Sequence, residues 1–457
     1  MRYTGLASPD STQLVFGRAP KPVECGFGLT IGVGQVFPEV NFTLPAIMIS
    51  GENWSKVLAH YEEMAKNILK RAIALQVPGI VLEFELLPAM TETPEWGAEI
   101  TALLRLHLRQ AHEKYGLKSA LRVTPTDIRD QSKPPQLRSG PAWEQMRRSF
   151  DLCIEAGADI VSIESVGGKE VHDPGLMYGD VRSIAFALGV LAPRDMAWLW
   201  GEITKMCESN RKVIPGGDTA CGFANTAMQL AHQKMLPEVL AAVVRAMSAV
   251  RSLVAFEQGA VGPSKDCAYE GPVIKAITGC PISMEGKSAA CAHFSPMGNI
   301  AAAMCDLWSN ESVQNVRLLS GNAPEAFTEM LAYDCRLMNT AAANGGALTL
   351  RQWLIDSDER LSPQAAILSP QATIDIATAI VGADSHYHAT VTAGLEAVNL
   401  LKKRVDAGAL SFNKKEAGWL SRIENDLQSL PDDEAELLAE MKETHAGIFD
   451  PESYGLA

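Results

Sequence analysis

The sequence lacks the short local motifs that identify a metal or redox site directly. None of its nine cysteines forms a C-x-x-C pair, and none of its nine histidines belongs to an H-E-x-x-H motif. A zinc ribbon, a thioredoxin-like site and a zincin helix are therefore excluded. An odd number of cysteines spread over 457 residues favours free thiols over a disulfide framework. Any metal site must be assembled from residues that lie far apart along the chain.

Positive charge and long apolar runs are also scarce. The chain has 40 Lys and Arg against 54 Asp and Glu, a net charge of −14, which opposes binding to nucleic acid or to an anionic membrane. The most apolar long window, 239–256, is interrupted by Arg245, Ser248, Arg251 and Ser252, so no uncharged stretch of about 20 residues could span a bilayer. The start of the chain lacks a basic region followed by an apolar one. We expect a cytoplasmic protein.

A repeated alternation of short apolar strands and amphipathic helices dominates the chain. The run from Ser55 to Val77 has helical spacing and ends at Pro78 and Gly79, after which IVLEFEL predicts a buried strand. Seven such units can be counted. The other predicted strands are SALRV (119–123), DIVSIE (159–164), KVIP (212–215), LVAFE (253–257), PISME (281–285) and VRLLS (316–320).

This alternation is typical of a parallel sheet whose faces are covered by helices. An open doubly wound sheet would fit, but seven unbroken units favour an α/β fold of the (βα)8 TIM-barrel type. The eighth strand would lie either near ALTLR (347–351) or in the N-terminal region. We therefore predict an irregular N-terminal segment (1–54), a (βα)8 catalytic barrel (55–369) and a helical C-terminal layer (370–457), the last being either a docking surface or a cap.

Three potential metal ligands follow consecutive predicted strands. Glu164 closes the third strand, Cys221 lies in the Gly-rich turn after the fourth, and Cys267 lies in the loop after the fifth. Active sites of parallel α/β proteins form where the carboxyl ends of the strands meet. Two thiolates and one carboxylate can hold a tetrahedral zinc ion and leave one position for water or substrate. Cysteines more often pack as small hydrophobes, however, and spacings of 57 and 46 residues match no local motif.

The segments around these three residues resemble a known family. SIESVGGKEVHDPG around Glu164, IPGGDTACGFANTAM around Cys221 and GPSKDCAYEGP around Cys267 are similar to the zinc subunit of methanol:corrinoid methyltransferases, the methanol-cobalamin methyltransferase B subunit. The likeness continues through LEFELLPAMTETPEWG. It implies a (βα)8 barrel, one Zn²⁺ held by Glu164, Cys221 and Cys267, methanol as substrate, and a partner subunit that carries the corrinoid (cobalamin). We also expect an oligomer.

Hydroxide is a poor leaving group, so the enzyme must stabilise the negative charge that develops on the oxygen of methanol during the implied reaction. Zinc on that oxygen would act as a Lewis acid, while the cobalt(I) of the partner's corrinoid would attack the methyl carbon. Glu83 and Glu85 are candidate proton donors, because a period of two places both on one face of the first predicted strand. The alternative is that Arg122 from the next strand neutralises one of them.

Other hypotheses stay open at this point. The same zinc site would also suit another methyl donor, such as a methoxylated compound. A metal-free lyase or isomerase could use Glu83, Glu85 and Lys287 as acid and base, and a non-catalytic scaffold could dock through the helical C-terminus. Asp218 and Asp266 are candidates to orient the cysteine ligands, although an Asp in a Gly-rich turn often only bonds its own backbone.

Overall fold

The computed structural model describes residues 2–43, 48–210, 212–265, 267, 269–292, 294–313, 319 and 321–456. Helices dominate this part of the chain. Its strands are β1 (Arg18–Cys25), β2 (Leu29–Val33), β3 (Phe37–Thr43), β4 (Ile80–Glu85), β5 (Ser119–Thr124), β6 (Ile160–Ile163), β7 (Ile214–Asp218), β8 (Ser283–Glu285) and β9 (Leu307–Val313).

The α-helices of the same residues run from Trp54 to Thr444. They are α1 (Trp54–Ala74), α2 (Pro88–Glu92), α3 (Pro94–Tyr115), α4 (Pro141–Ala156), α5 (Lys169–Tyr178), α6 (Val181–Phe186), α7 (Ala192–Ser209), α8 (Thr226–His232), α9 (Glu238–Glu257), α10 (Gly271–Thr278), α11 (Lys287–Ala292), α12 (Gly298–Ala302), α13 (Ala323–Ala343), α14 (Ala347–Asp358), α15 (Pro363–Leu368), α16 (Pro370–Val381), α17 (His386–Asp406), α18 (Lys414–Gln428) and α19 (Glu434–Thr444). From Pro370 onward the regular elements of the described chain are helices.

Seven of the described strands form one parallel sheet in the order β7-β6-β5-β4-β3-β9-β8. A segment after α9 (261–264) bridges the two edge strands. The backbone N–H of Val261 donates to the carbonyl of Pro215 in β7 at 2.9 Å, and that of Ser264 donates to the carbonyl of Pro281 just before β8 at 3.3 Å. The sheet therefore curls into a TIM-barrel-like fold, which confirms the predicted fold class, with this segment at the position of an eighth strand.

One predicted strand was misassigned, and one of the two alternatives for the eighth strand is helical. LVAFE (253–257) is the last part of helix α9, and ALTLR (347–351) begins helix α14. A short apolar run that is buried on all sides looks the same in a strand and in a core helix, so periodicity could not separate them. VRLLS (316–320) lies, except for Leu319, outside the described residues.

The predicted irregular segment 1–54 is also wrong. β1 and β2 form an antiparallel hairpin, and β3 joins the parallel sheet between β4 and β9. The N-terminal region thus supplies a barrel strand, one of the two alternatives that the sequence left open. Its alternation was obscured because Gly and Pro residues are frequent between and within these strands.

Helix α9 is buried along nearly its whole length, between the helices α7, α15 and α17. Among the described helices it alone is long and apolar enough to cross a membrane, but its most apolar window is entirely buried within the protein, as in the core helix of a soluble protein. α17 packs closely against it. A Cβ atom at Gly394 in α17 would lie 3.1 Å from Met247 of α9 and 2.9 Å from Leu427 of α18, so a larger residue there would have to displace these two side chains.

Candidate metal centre at the strand ends

The structure brings the three predicted ligands together. Glu164 directly follows β6, Cys221 opens a short π-helix (Cys221–Asn225) after β7, and Cys267 lies between α9 and α10. One ligand atom from each residue lies within 4.8 Å of the other two. The thiol of Cys267 donates to Oε1 of Glu164 at 3.4 Å. Two sulfurs and one carboxylate oxygen at such distances are a donor set that suits zinc.

The local backbone explains how Cys221 reaches this position. β6 and β7 pair with a register shift, and Gly217 in β7 has a φ of +142°, which residues with a Cβ rarely adopt. The π-helix that follows is a rare form, found often at functional sites. It begins with Cys221, so the thiol projects at the end of the strand.

The surroundings of Cys221 keep its thiol protonated when no cation is bound. A hydrogen bond with Cys267 lowers the pKa of the Cys221 thiol, but burial and the nearby carboxylates of Glu164 and Glu285 outweigh it and raise that pKa to about 11. A divalent cation would have to displace this proton, since only the thiolate binds metal.

Sequence reasoning missed Lys265, which lies at the centre of the acidic groups. Its side chain is completely buried, and its Nζ lies 3.0 Å from Oε1 of Glu83, 2.5 Å from Oε1 of Glu85 and 3.7 Å from Oε1 of Glu164. The same atom lies 3.8 Å from Sγ of Cys267. No local pattern in the sequence separates Lys265 from a surface lysine, because only the fold brings the segment after α9 next to β4.

Glu83 and Glu85 both face this site from β4, as predicted. Glu83 is completely buried and accepts a hydrogen bond from the Thr124 hydroxyl at 3.0 Å. Glu85 is partly exposed, and its Oε1 accepts a hydrogen bond from Nδ2 of Asn41 at 3.0 Å. The two carboxyl groups therefore sit at different depths, and Glu85 is the one that solvent or a substrate can reach.

Arg122, the predicted alternative neutraliser, forms a buried ion pair elsewhere. Its Nε lies 2.7 Å from Oε1 of Glu39, and its Nη1 donates to the Ser162 hydroxyl at 2.8 Å. This pair is completely buried, and both residues precede the ends of their strands, β3 and β5. The cation beside Glu83 and Glu85 is Lys265.

A cavity of about 220 Å³ opens beside the ligands. Glu85 and Glu164 line it together with residues from the ends of β5 and β6 and from α5. A second cavity, of about 430 Å³, shares Val166 and Lys169 with the first and extends toward the C-terminal tail. A small alcohol in the first cavity would have both carboxylates next to it.

The remaining predicted residues have ordinary contacts. Asp218 accepts hydrogen bonds from Nε1 of Trp200 at 2.9 Å and from the backbone N–H of Thr219 at 2.8 Å. Lys287 forms an ion pair with Asp334 at 2.8 Å, which weakens the metal-free lyase hypothesis. Asp266 lies outside the described residues.

Comparisons with known proteins agree over nearly the whole chain. The family model of the methanol-cobalamin methyltransferase B subunit matches residues 1–455. A methanol–corrinoid protein co-methyltransferase from Methanosarcina barkeri is 37% identical over 461 residues, covering 99% of both chains. A chain from the crystal structure of the methanol:cobalamin methyltransferase complex MtaBC of the same organism superimposes with a TM-score of 0.95 at 36% identity, again covering 99% of both chains.

Proposed function

The chain belongs to the methanol-cobalamin methyltransferase B subunit family, and we propose that it transfers the methyl group of methanol to a corrinoid-binding partner subunit, using a zinc ion held by Glu164, Cys221 and Cys267. The observation that carries this proposal is the convergence of these three side chains from separate strand ends. The resemblance noted in the sequence named the same three residues.

The donor set fits the proposed metal. Two sulfurs and a carboxylate oxygen favour zinc over magnesium or calcium, which prefer oxygen alone. When bound, zinc supplies a Lewis acid that stabilises negative charge on the oxygen of methanol. Three protein ligands leave one coordination position for the substrate, and the cavity lined by Glu85 and Glu164 gives a small alcohol access to it.

The two glutamates of β4, Glu83 and Glu85, have different roles in this proposal. The carboxyl of Glu85 reaches the cavity and donates a proton to that oxygen, so that it leaves as water. Glu83 is buried and holds the ammonium of Lys265 between the two carboxyl groups. The charge of Lys265 offsets part of the negative charge that the thiolates and carboxylates bring to the site.

Location and partner complete the proposal. The described structure has all nine cysteines as free thiols, which suits the reducing cytoplasm. The corrinoid stays on the partner subunit, and this chain binds and orients methanol. The partner must present its corrinoid at the strand ends, because the cavity beside Glu85 and Glu164 opens there. An oligomer containing both subunits is therefore expected.

The decisive experiment combines the purified chain with its cobalamin-loaded partner in the cobalt(I) state, adds methanol and follows the corrinoid spectrum. We expect the spectrum of methylcobalt(III), and we expect its loss with Cys221→Ala or Cys267→Ala. A methylcobalt spectrum that forms with a methoxylated donor but not with methanol would redirect the proposal to that donor. Methyl transfer that survives zinc removal would overturn the metal assignment.

A further inference from the structure

Two arginines interrupt the most apolar stretch of the sequence, and both are buried in the core. Arg245 and Arg251 lie on α9 with exposed fractions of 1% and 0%. Burying a guanidinium is costly unless hydrogen bonds compensate. The hydrogen bonds of these two side chains therefore indicate their role. Both arginines reach the loops that carry the proposed metal ligands.

Arg251 connects the loops after β6 and β7. Its Nη1 donates to the carbonyl of Thr219 at 2.7 Å, and its Nη2 donates to Oδ1 of Asp218 at 3.1 Å and to the hydroxyl of Ser165. Ser165 follows Glu164, and Thr219 lies two residues before Cys221. One side chain thus holds the backbone next to two of the three ligands.

Arg245 acts on the other side of the site through Asn225. Its Nη2 donates to Oδ1 of Asn225 at 3.2 Å, and its Nε donates to Oε1 of Gln364 at 2.7 Å. Asn225 is 5% exposed and lies at the end of the π-helix that begins with Cys221. Its amide nitrogen lies 3.6 Å from Sγ of Cys221 and 3.4 Å from the carbonyl oxygen of Cys267.

The arginine determines which way this amide points. A guanidinium has only donors, so the oxygen of Asn225 must face Arg245. The amide N–H groups are then directed at the Cys221 sulfur and at the Cys267 backbone. In the flipped orientation, the amide would present its oxygen to the sulfur and repel the thiolate.

We propose that Asn225, oriented by Arg245, is a positioning residue for the two cysteine ligands. Its N–H groups fix the Cys221 sulfur and the Cys267 backbone relative to each other and draw electron density from the sulfur. The bound cation then receives less charge from that thiolate and remains a stronger Lewis acid. This inference rests on the proposed function, because it requires that both cysteines bind zinc.

The test uses Asn225→Asp, which keeps the size of the side chain and an acceptor for Arg245 but removes the N–H donors. We expect zinc affinity, measured by chelator competition, to fall about 10- to 100-fold, as is usual when an outer partner of a metal ligand is lost. In the cobalt(II)-substituted protein, the sulfur-to-cobalt absorption band should move to longer wavelength, since the sulfur loses a hydrogen bond.

Two further variants separate positioning from general damage. Arg245→Met should change affinity and absorption in the same direction as Asn225→Asp, whereas Arg245→Lys, which retains a donor for Oδ1 of Asn225, should change them less. Asn339→Asp is the matched control. Asn339 lies on α13, away from the site, and its side-chain amide bonds both the N–H and the carbonyl of Val36, the residue before β3.

The outcomes distinguish this inference from the function on which it rests. Unchanged zinc affinity and an unchanged cobalt band in Asn225→Asp, with normal zinc in the wild type, would overturn the role of Asn225 and leave the proposed function standing. A wild-type chain that binds no zinc would overturn both. If Asn225→Asp does not fold, the contrast between Arg245→Met and Arg245→Lys decides the matter in the same two measurements.

Discussion

The thiol of Cys267 lies 3.4 Å from a carboxylate oxygen of Glu164, although 103 residues separate the two along the chain. The contact exists because Glu164 directly follows β6, whereas Cys267 follows the segment 261–264 that hydrogen-bonds to β7 and to the residue Pro281 before β8. Cys221, between them in sequence, arrives at the same place from β7. Topology thus assembles a site that no stretch of sequence contains.

Removing either sulfur should empty the metal site. We expect Cys221→Ala and Cys267→Ala each to lose stoichiometric zinc, because two protein ligands are too few for tight binding. Metal analysis of the purified variants measures this. Cys291→Ala is the control, since Cys291 is an exposed free thiol on α11, and it should keep its zinc. Full zinc occupancy in both ligand variants would contradict the assignment.

Zinc binding should release protons and strengthen as pH rises. The pKa of the Cys221 thiol is raised to about 11, so this thiol is protonated throughout the neutral range and must lose its proton to bind metal. Each displaced proton makes the apparent affinity rise about tenfold per pH unit. Calorimetry in buffers with different ionisation enthalpies counts the protons released. Release of none would show that Cys221 is not a ligand or is already a thiolate.

Replacing the reachable carboxyl should slow methyl transfer without removing the metal. For Glu85→Gln we expect kcat to fall by about 10²- to 10⁴-fold, the usual contribution of a general acid. Zinc content should be unchanged, which separates this effect from loss of a ligand. Glu83→Gln should cost less, because Glu83 is buried and acts through Lys265. A double variant that works at the wild-type rate would rule out both residues as donors.

Lys265 should be important for stability as well as for the site. Its ammonium and the Glu83 carboxylate are both completely buried, 3.0 Å apart. Lys265→Met leaves that carboxylate without its charge partner, so the free energy of unfolding should fall by about 3–5 kcal/mol. Denaturant unfolding of zinc-free protein measures this without a contribution from the metal. Adding Glu83→Gln should restore part of the loss, and no recovery would mean that the pair is not the cause.

The carboxyl of Glu170 on α5, which contacts Tyr454 of the C-terminal tail, should make the stability of the protein depend on pH. Burial raises the pKa of Glu170 to about 7, although the hydroxyl of Tyr454, which donates to it at 2.5 Å, opposes this. The pKa of Glu170 is therefore higher in the folded state than its ordinary value of 4.5. Because the folded protein holds this proton more tightly, the free energy of unfolding should fall as the pH rises from about 4.5 to about 7.

Tyr454→Phe tests this relationship. The variant loses the hydrogen bond that favours the ionised carboxyl, so its drop in Tm should be larger at about pH 8 than at about pH 5. Tyr333→Phe is the control, because the Tyr333 hydroxyl also donates to a glutamate, Glu329, but on the exposed surface. Equal drops at both pH values for Tyr454→Phe would contradict the role assigned to Glu170.

The sequence was sufficient for the fold class and for the identity of the proposed ligands. Strand–helix alternation indicates a parallel sheet because a sheet buried on both faces requires apolar strands and covering helices. It was insufficient where burial is complete, as in LVAFE, which belongs to α9. It also missed β3, whose residues follow the hairpin of β1 and β2.

The order of residues along the chain placed Glu164 and Cys221 after strands that the structure contains, but it placed Cys267 after LVAFE, which is helical. The resemblance to the family implied all three ligands. The partners of those residues came from folding alone. Lys265, Asn225 and Arg245 carry no local pattern that distinguishes a buried side chain from one at the surface. Their roles depend on distances between distant segments, and the packing of α9 and of the segment between α9 and α10 sets those distances.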